Sequence, residues 1–233
     1  MIKEAIILAG GLGTRLKSAV PDLPKCMAPV NGRPFLDYVI ETLSNAGIEH
    51  FIFSLGYMHE YIEAHLTAAH KHLNYDINLE DEPLGTGGAI HASLKFLKSP
   101  QVIITNGDTL FKINLQSFSD FHISQQSICS LGLKPMRHFD RYGVVELNKD
   151  HQIASFKEKQ PYQEGLINGG VYALDAKEFL QLSFPEKFSF EKDFLERYYQ
   201  SHKMSGMISD AYFIDIGIPE DYARASTELK SPD

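Results

Sequence analysis

Short apolar runs alternate with amphipathic stretches through the first half of the chain. EAIIL (4–8) is an unbroken apolar run closed by glycines, and predicts a buried strand. PFLDYVIETLSNAG (34–47) places Leu36, Val39, Ile40 and Leu43 on one helical face and stops at Gly47. HFIFSLG (50–56) predicts the next strand and HEYIEAHLTAAHKHL (59–73) the next helix. Extended YDINLEDEP (75–83) follows, then a helix from about Gly87 to Phe96, then VIITNGD (102–108), a fully apolar strand ending in Asn-Gly-Asp. Strict strand–helix alternation implies βαβ units, so the expected fold class is α/β: a Rossmann-like, mostly parallel sheet with helices on both faces. Ligands of such sheets bind beyond the carboxyl ends of the strands. LAGGLG (8–13) and NGD (106–108) both fall at such ends.

The second half has a different rhythm. SICSLGLKP (127–135), YGVVEL (142–147), QIASFKEK (152–159) and LINGGVYALD (166–175) are strand-like with few helices between them, which predicts antiparallel additions to the parallel core. FSFEKDFLERYYQ (188–200) and PEDYARASTELK (219–230) read as late helices. No internal repeat or low-complexity segment interrupts the pattern, and nothing after residue 215 has a hexapeptide β-helix period. One domain over 1–233 is expected, with a strand–helix part at about 1–110, a strand-rich part at about 111–215 and a C-terminal helix at 219–230.

Composition narrows the function classes. The formal net charge of -8 argues against bulk binding of nucleic acid, which needs a basic surface, but not against a small anion in a locally positive pocket. Two cysteines, Cys26 and Cys129, make neither a disulfide framework nor a CxxC metal site. The start MIKEAIILAGG is too short an apolar run for a signal peptide, and no stretch approaches the ~20 apolar residues of a membrane helix. A cytoplasmic location is the expectation. The histidines of HLTAAHKH (65–72) lack the HExxH register and read as a solvated helix face.

The densest chemistry lies in LAGGLGTRLKSAVPDLPKCMAPV (8–30). Gly10, Gly11 and Gly13 expose backbone amides that can form a nest for phosphate oxygens, with no Cβ in the way. Arg15 adds a charged fork suited to phosphate, and Lys25, held by Pro24, adds a mobile point charge. A glycine-rich turn flanked by two solvated cations would carry no chemistry. The preceding strand and the fixed spacing of Arg15 and Lys25 favour phosphate binding instead. Two phosphate motifs are excluded. GxxxxGK followed by Ser or Thr is absent, and the glycines are out of register with GxGxxG, whose acidic residue is also missing after Phe53-Ser54-Leu55.

The stretch resembles the LAGGxGTRL signature and Pro-Lys pair of the sugar-1-phosphate nucleotidyltransferases. EPLGTGGAI (82–90), NGD (106–108), DRYGVV (140–145), FKEK (156–159), INGGVY (167–172) and FIDIGIPEDY (213–222) continue the resemblance along nearly the whole chain in the family's order. The resemblance implies the nucleotide-diphospho-sugar transferase (GT-A-like) fold. It also implies attack of a sugar 1-phosphate oxygen on the α-phosphorus of a nucleoside triphosphate, with pyrophosphate leaving. LKSAVPDLPKCMAPVNGRPFL, DRYG, INGGVY, EKFSFEKDFL and YFIDIGIPEDY are most similar to guanylyl-transferring members that act on a manno-heptose 1-phosphate. GTP and that sugar phosphate are therefore the expected substrates and Mg²⁺ the expected cofactor. Uridylyl or thymidylyl transfer to a hexose or amino-sugar phosphate stays open as the alternative. The residues leave the oligomeric state open, a homo-oligomer included. Because the chain ends soon after its last motif, the β-helical acyltransferase extension of bifunctional relatives is not expected.

What the resemblance implies residue by residue follows. Leu8, Ala9 and the amides from Gly10 through Gly11 and Gly13 to Thr14 cradle the triphosphate, while Arg15 grips its β and γ groups. Lys25 stands between the α-phosphate and the sugar phosphate. Asp108, after Asn106 and Gly107, and Asp215 hold Mg²⁺, consistent with that ion's preference for a few carboxylates plus phosphate oxygens and water. Glu82, Pro83, Gly85 and Thr86 run past the base and ribose, with Glu82 as the acceptor for guanine N1–H and the 2-amino group. Glu158 and Lys159 bind the sugar and its phosphate, and Tyr142, Gly143, Asn168 and Gly169 line the sugar pocket. Arg15, Lys25 and Asp108 are the expected catalytic residues. Cys26 replaces the second proline of the family pattern, and Phe213 stands two residues before Asp215, where many members have tryptophan directly before their aspartate. Neither change removes a charge. Cys26 reads as a small buried thiol rather than a nucleophile. A glycosyltransferase would show a DxD pair, whereas Thr109 and Leu110 follow Asp108 here. A non-catalytic regulatory subunit would have lost one of Arg15, Lys25, Asp108 or Asp215, and all four are present.

Overall fold

The computed structural model describes residues 1–11, 16 and 19–229. β1 (Glu4–Leu8) is followed by a small hairpin, β2 (Pro29–Val30) and β3 (Arg33–Pro34), and then by α1 (Phe35–Asn45), β4 (His50–Leu55), α2 (His59–Ala69), β5 (Tyr75–Leu79), α3 (Gly85–Ser93) and β6 (Gln101–Asn106). β6, β1, β4 and β5 lie side by side, all parallel. Successive strand residues point into two different apolar cores, one on each face of the sheet. Ala5, Ile7, Phe51, Phe53 and Ile103 share a core with Leu36, Val39, Ile40 and Leu43 of α1 and Ile62 and Leu66 of α2. Ile6, Ile52, Val102 and Ile104 share the other with Ile90 of α3. Burial on both faces is why these strands are apolar without alternation.

Next come β7 (Thr109–Phe111), α4 (Leu115–Gln125), β8 (Cys129–Phe139), β9 (Val144–Leu147), β10 (Ile153–Lys157) and β11 (Tyr162–Asp175). The chain closes with α5 (Ala176–Phe179), a π-helical turn over Phe190–Leu195, α6 (Glu196–Tyr198), β12 (Met204–Ile208), β13 (Phe213–Asp215) and α7 (Pro219–Glu228). β11 extends the parallel sheet by pairing antiparallel with β6, and it also carries β8 and β9. The expected antiparallel additions are thus present. Among the described residues no helix is long and apolar enough to cross a membrane.

Three local readings differ from the structure. The helix expected over 59–73 stops at Ala69, with His70 as its cap. The late helix of 188–200 is a π-helical turn and a three-residue α6. The histidine stretch is not uniformly solvated, because His65 and His70 both turn their Nε2 atoms onto Asp37 Oδ1, at 2.6 and 2.8 Å. α4 has no counterpart in the sequence reading, since two of its four buried positions are polar: Ser119 and His122 lie inward beside Leu115 and Phe118.

His122 is 1% exposed, with Nδ1 2.9 Å from Ser130 Oγ and Nε2 2.6 Å from Gln101 Oε1. Burial holds its pKa down to about 4. The unfolded chain therefore binds the extra proton between the ordinary histidine value and that figure, and this contribution to stability is lost as pH falls through that window. We expect on the order of 3 kcal/mol of acid destabilisation from this group. Urea unfolding at pH 7 and pH 4.5 should show His122→Gln losing less stability on acidification than the unmodified chain.

Candidate functional site

The site is built on the pairing of β7 with β13. Asp108 immediately precedes β7 and Asp215 ends β13, and their antiparallel register sets Asp215 opposite Thr109. Ile216 N–H donates to the Asp108 carbonyl at 3.1 Å, which closes the pair at that end. Two carboxylates far apart in sequence thus become neighbours. Between them lies the Lys25 ammonium, which donates to Asp108 Oδ2 at 2.5 Å and approaches Asp215 Oδ1 at 3.4 Å. Lys25 sits on a single helical turn (25–27) entered through Pro24, and its side chain is only 11% exposed. Asp215 Oδ1 also accepts the Gly217 N–H at 2.7 Å. A Cβ at Gly217 would fall 2.8 Å from that oxygen and 3.0 Å from Lys25 Nζ, so only glycine leaves room for this arrangement. Burial, and then the Asp108 charge, raise the Asp215 pKa above the ordinary carboxylate value, with Lys25 opposing both.

A cavity of about 440 Å³ opens above the carboxyl ends of β1, β4 and β6. Leu8, Ala9, Gly10, Gly11, Lys25, Pro83, Gly85, Thr86, Asn106 and Asp108 line it, as the sequence leads one to expect. Gly107 lies buried beneath the floor, its N–H bonded to the Leu8 carbonyl at 2.8 Å, and supports the wall without forming it. Glu82 is exposed and stands outside the cavity, and the acidic residue of this segment that lines the wall is Glu80. The reason is strand geometry. Glu80 N–H donates to the Leu55 carbonyl at 2.8 Å and so prolongs the β5 ladder, keeping its side chain turned inward before the chain bends away. Glu80 accepts from Ser54 Oγ at 3.2 Å and from Leu84 N–H at 3.1 Å. Gly85 opens α3 at φ +74°, and a Cβ there would meet the Phe188 carbonyl oxygen at 2.5 Å. Gly13, Thr14 and Arg15 lie outside the described residues.

A second cavity, of about 470 Å³, is lined by Tyr142, Gly143, Glu158, Lys159, Asn168 and Gly169, all six of the residues expected there. Both volumes suit ligands the size of a nucleotide or a sugar phosphate. The two cavities share Asn106, Thr109, Glu191 and Asp215, so they meet at the Lys25–carboxylate cluster. Asn168 donates to Tyr172 OH at 2.9 Å, which orients its amide. Burial, and then Asp215, push the Tyr142 phenol up to about 12, which keeps it a neutral hydrogen-bonding group. The DRYG loop is latched by an Arg141–Asp221 ion pair to α7, where Arg224 Nη1 also reaches Asp221 at 2.8 Å. Cys26 is buried and its thiol is pushed up to about 12, mainly by burial and then by Asp108, so it is no nucleophile.

The model of the nucleotidyl transferase family matches residues 4–231. This chain belongs to the nucleotidyl transferase family. It is 48% identical over 227 residues to a D-glycero-α-D-manno-heptose 1-phosphate guanylyltransferase of Aneurinibacillus thermoaerophilus, covering 97% of this chain and 98% of that one. A protein of the same description from Campylobacter jejuni subsp. jejuni is 46% identical, covering 94% and 96%. Among solved structures, HddC from Yersinia pseudotuberculosis complexed with GMP-PN superposes with a TM-score of 0.88 at 36% identity, covering 98% of this chain and all of that one.

Within this family frame, two residues missing from the sequence reading occupy the site. Glu80 is one. Glu191 is the other: it sits on the π-helical turn, accepts from Thr86 Oγ1 at 2.7 Å and borders both cavities. The Glu-Pro pair at 82–83 drew attention past Glu80. Glu191 carried only the signal of lying within EKFSFEKDFL. The carboxylate pair fits a hard dication: two oxygens already converge on one positive charge, and their mutual repulsion is incompletely relieved by Lys25 alone.

Proposed function

We propose that this enzyme transfers GMP from GTP to D-glycero-α-D-manno-heptose 1-phosphate, forming the GDP-sugar and releasing pyrophosphate. The observation that carries the reading is that two ligand-sized cavities meet at Asp215, the carboxylate that Lys25 approaches together with Asp108. The relatives' printed activities, and the GMP-PN bound to the structural neighbour, support the choice of base and sugar. In this reading residues 1–110 chiefly hold the nucleotide and 111–215 the sugar.

An oxygen of the sugar phosphate attacks the α-phosphorus as the bond to the bridging oxygen of pyrophosphate breaks. Two anions must approach, so positioning and charge neutralisation dominate. The amides of Gly10 and Gly11 face the triphosphate, together with Gly13, Thr14 and Arg15 as the family signature places them. Lys25 leaves the carboxylates to bridge the two phosphates. Asp108 and Asp215 would hold Mg²⁺, which would neutralise phosphate charge. Tyr142, Glu158, Lys159 and Asn168 hold the sugar. Glu80 offers the carboxylate that can accept guanine N1–H and the 2-amino group together.

Pyrophosphate release tests the assignment, with GTP, UTP, dTTP, ATP and CTP crossed against sugar 1-phosphates that include the manno-heptose. Strong release with GTP and the heptose alone is expected. Release with UTP or dTTP and a hexose phosphate would retain the chemistry and replace the product. In the same assay Glu80→Gln should erode the preference for GTP over UTP by roughly tenfold or more, one lost charge-assisted bond. Glu82→Gln should leave the base profile unchanged. The opposite pattern would return base reading to Glu82.

A further inference from the structure

We propose that Asp37, His65 and His70 form a binding site for one zinc-class divalent metal ion, separate from the carboxylate pair at the nucleotide cavity. The three residues come from two elements that pack on the same face of the sheet: Asp37 from the first turn of α1, His65 from within α2, and His70 from the cap that ends α2. Among the described residues, this is the one group of three or more His, Cys, Asp or Glu side chains whose ligating atoms lie within 4.8 Å of one another. None of the three lines either substrate cavity.

Both imidazoles present Nε2 to the same carboxylate oxygen, at 2.6 and 2.8 Å. Their rings are 5.3 Å apart, and the three side chains are 14–19% exposed. Neither histidine faces solvent as an isolated helix residue would. Bonds of about 2.0–2.1 Å to a tetrahedral ion place neighbouring ligand atoms roughly 3.3 Å apart. The 2.6 and 2.8 Å contacts therefore need to open by about 0.5–0.7 Å, within reach of side-chain rotation. Although burial works the other way, hydrogen bonds from His70 and His65 keep the Asp37 carboxyl below its ordinary pKa, in the ionised form a metal requires.

On its other side the ligating carboxylate has a guanidinium as its charged neighbour. Asp37 Oδ2, the oxygen that faces away from the histidines, lies 3.9 Å from Arg33 Nε, which is buried and has no hydrogen-bond partner. Arg33 is itself held by Glu41 at 2.8 Å and lies 4.2 Å over the Tyr38 ring. Two imidazoles and one carboxylate select zinc, cobalt, nickel or copper over magnesium. A bound ion would tie the first turn of α1 to the end of α2, so its effect is on the stability of that layer, not on phosphoryl transfer.

The experiment uses full-length chain stripped of metal with a chelator and titrated with Zn²⁺ in competition with a chromogenic zinc indicator. One Zn²⁺ per chain is expected, with a rise in melting temperature that adds to whatever saturating Mg²⁺ already gives. His65→Gln/His70→Gln should weaken uptake by roughly 100-fold or more, since even outer-shell losses cost ten- to hundredfold. Its turnover with Mg²⁺ should stay unchanged, and Zn²⁺ should no longer raise its melting temperature. Absence of saturable uptake would overturn the proposal. So would uptake undiminished in the double variant, which would put the ion at Asp108 and Asp215. A second measurement needs no variant: long-range ¹H–¹⁵N spectra of the unmodified chain should show the Nε2 resonances of His65 and His70 shifting together at one equivalent of Zn²⁺. Unmoved resonances would also overturn it.

Discussion

Lys25→Ala should cut turnover by roughly 10²–10³-fold while changing GTP affinity far less, the scale set by removing one preorganised charge from a reacting centre. The side chain is anchored by Pro24, nearly buried, and aimed at the point where the two cavities meet. Its charge matters most as two phosphates close on each other, so the loss belongs in the chemical step. Single-turnover pyrophosphate release together with equilibrium binding of GTP separates the two effects. Equal losses in both would reduce Lys25 to a ground-state nucleotide contact. The structure adds a second consequence. Without the ammonium, Asp108 and Asp215 face each other with no cation between them, so the variant should melt lower than the unmodified chain in chelator, and Mg²⁺ should recover part of the difference.

Asp108→Asn and Asp215→Asn should each depress turnover by a similar roughly 10²–10³-fold and raise the Mg²⁺ concentration needed for half-maximal rate. A Mg²⁺ titration at saturating GTP and sugar phosphate reads this directly. An unchanged titration curve in both variants would place the ion elsewhere. Stability should move the other way for Asp215. Its carboxyl is buried beside another negative charge and its pKa is raised, so the folded chain holds that proton more tightly than the unfolded chain. This contribution is present below the unfolded value and is lost as pH rises through the folded one. Asp215→Asn removes the penalty and can keep an amide oxygen for the Gly217 N–H. At neutral pH in chelator it should therefore melt higher than the unmodified chain, and Mg²⁺ should narrow the gap. A site that gains stability when its chemistry is removed is one built for a ligand rather than for the fold.

The parts of the site legible in sequence are those whose signal is local. Glycines that end a strand, a lysine after proline, and an Asn-Gly-Asp at a strand terminus each state a backbone conformation and a charge within a few residues. For that reason ten of the residues expected at a nucleotide line the first cavity and all six expected at a sugar line the second. Glu80 was illegible because its inward turn depends on the β5 ladder continuing one residue past Leu79, through a bond to Leu55. His65 and His70 look solvated on a helical projection, and only the packing of α2 against α1 supplies Asp37. α4 was missed because Ser119 and His122 are buried by their hydrogen bonds, to Leu115 and to Gln101 and Ser130, so the expected apolar stripe is half polar.

The alternation of apolar runs with amphipathic helices determined a mostly parallel sheet covered on both faces, because burial of that pattern leaves no other economical layer arrangement. The glycine-rich loop and its charges determined that phosphate chemistry belongs at one edge of that sheet. Resemblance to a family pairs Asp108 with Asp215, but only the tertiary structure supplies the physical reason they stand together. Asp108 and Asp215 meet through the antiparallel register of β7 and β13, and that register depends on everything folded between them. A strand states which face each residue takes, but it does not state which distant strand will lie beside it.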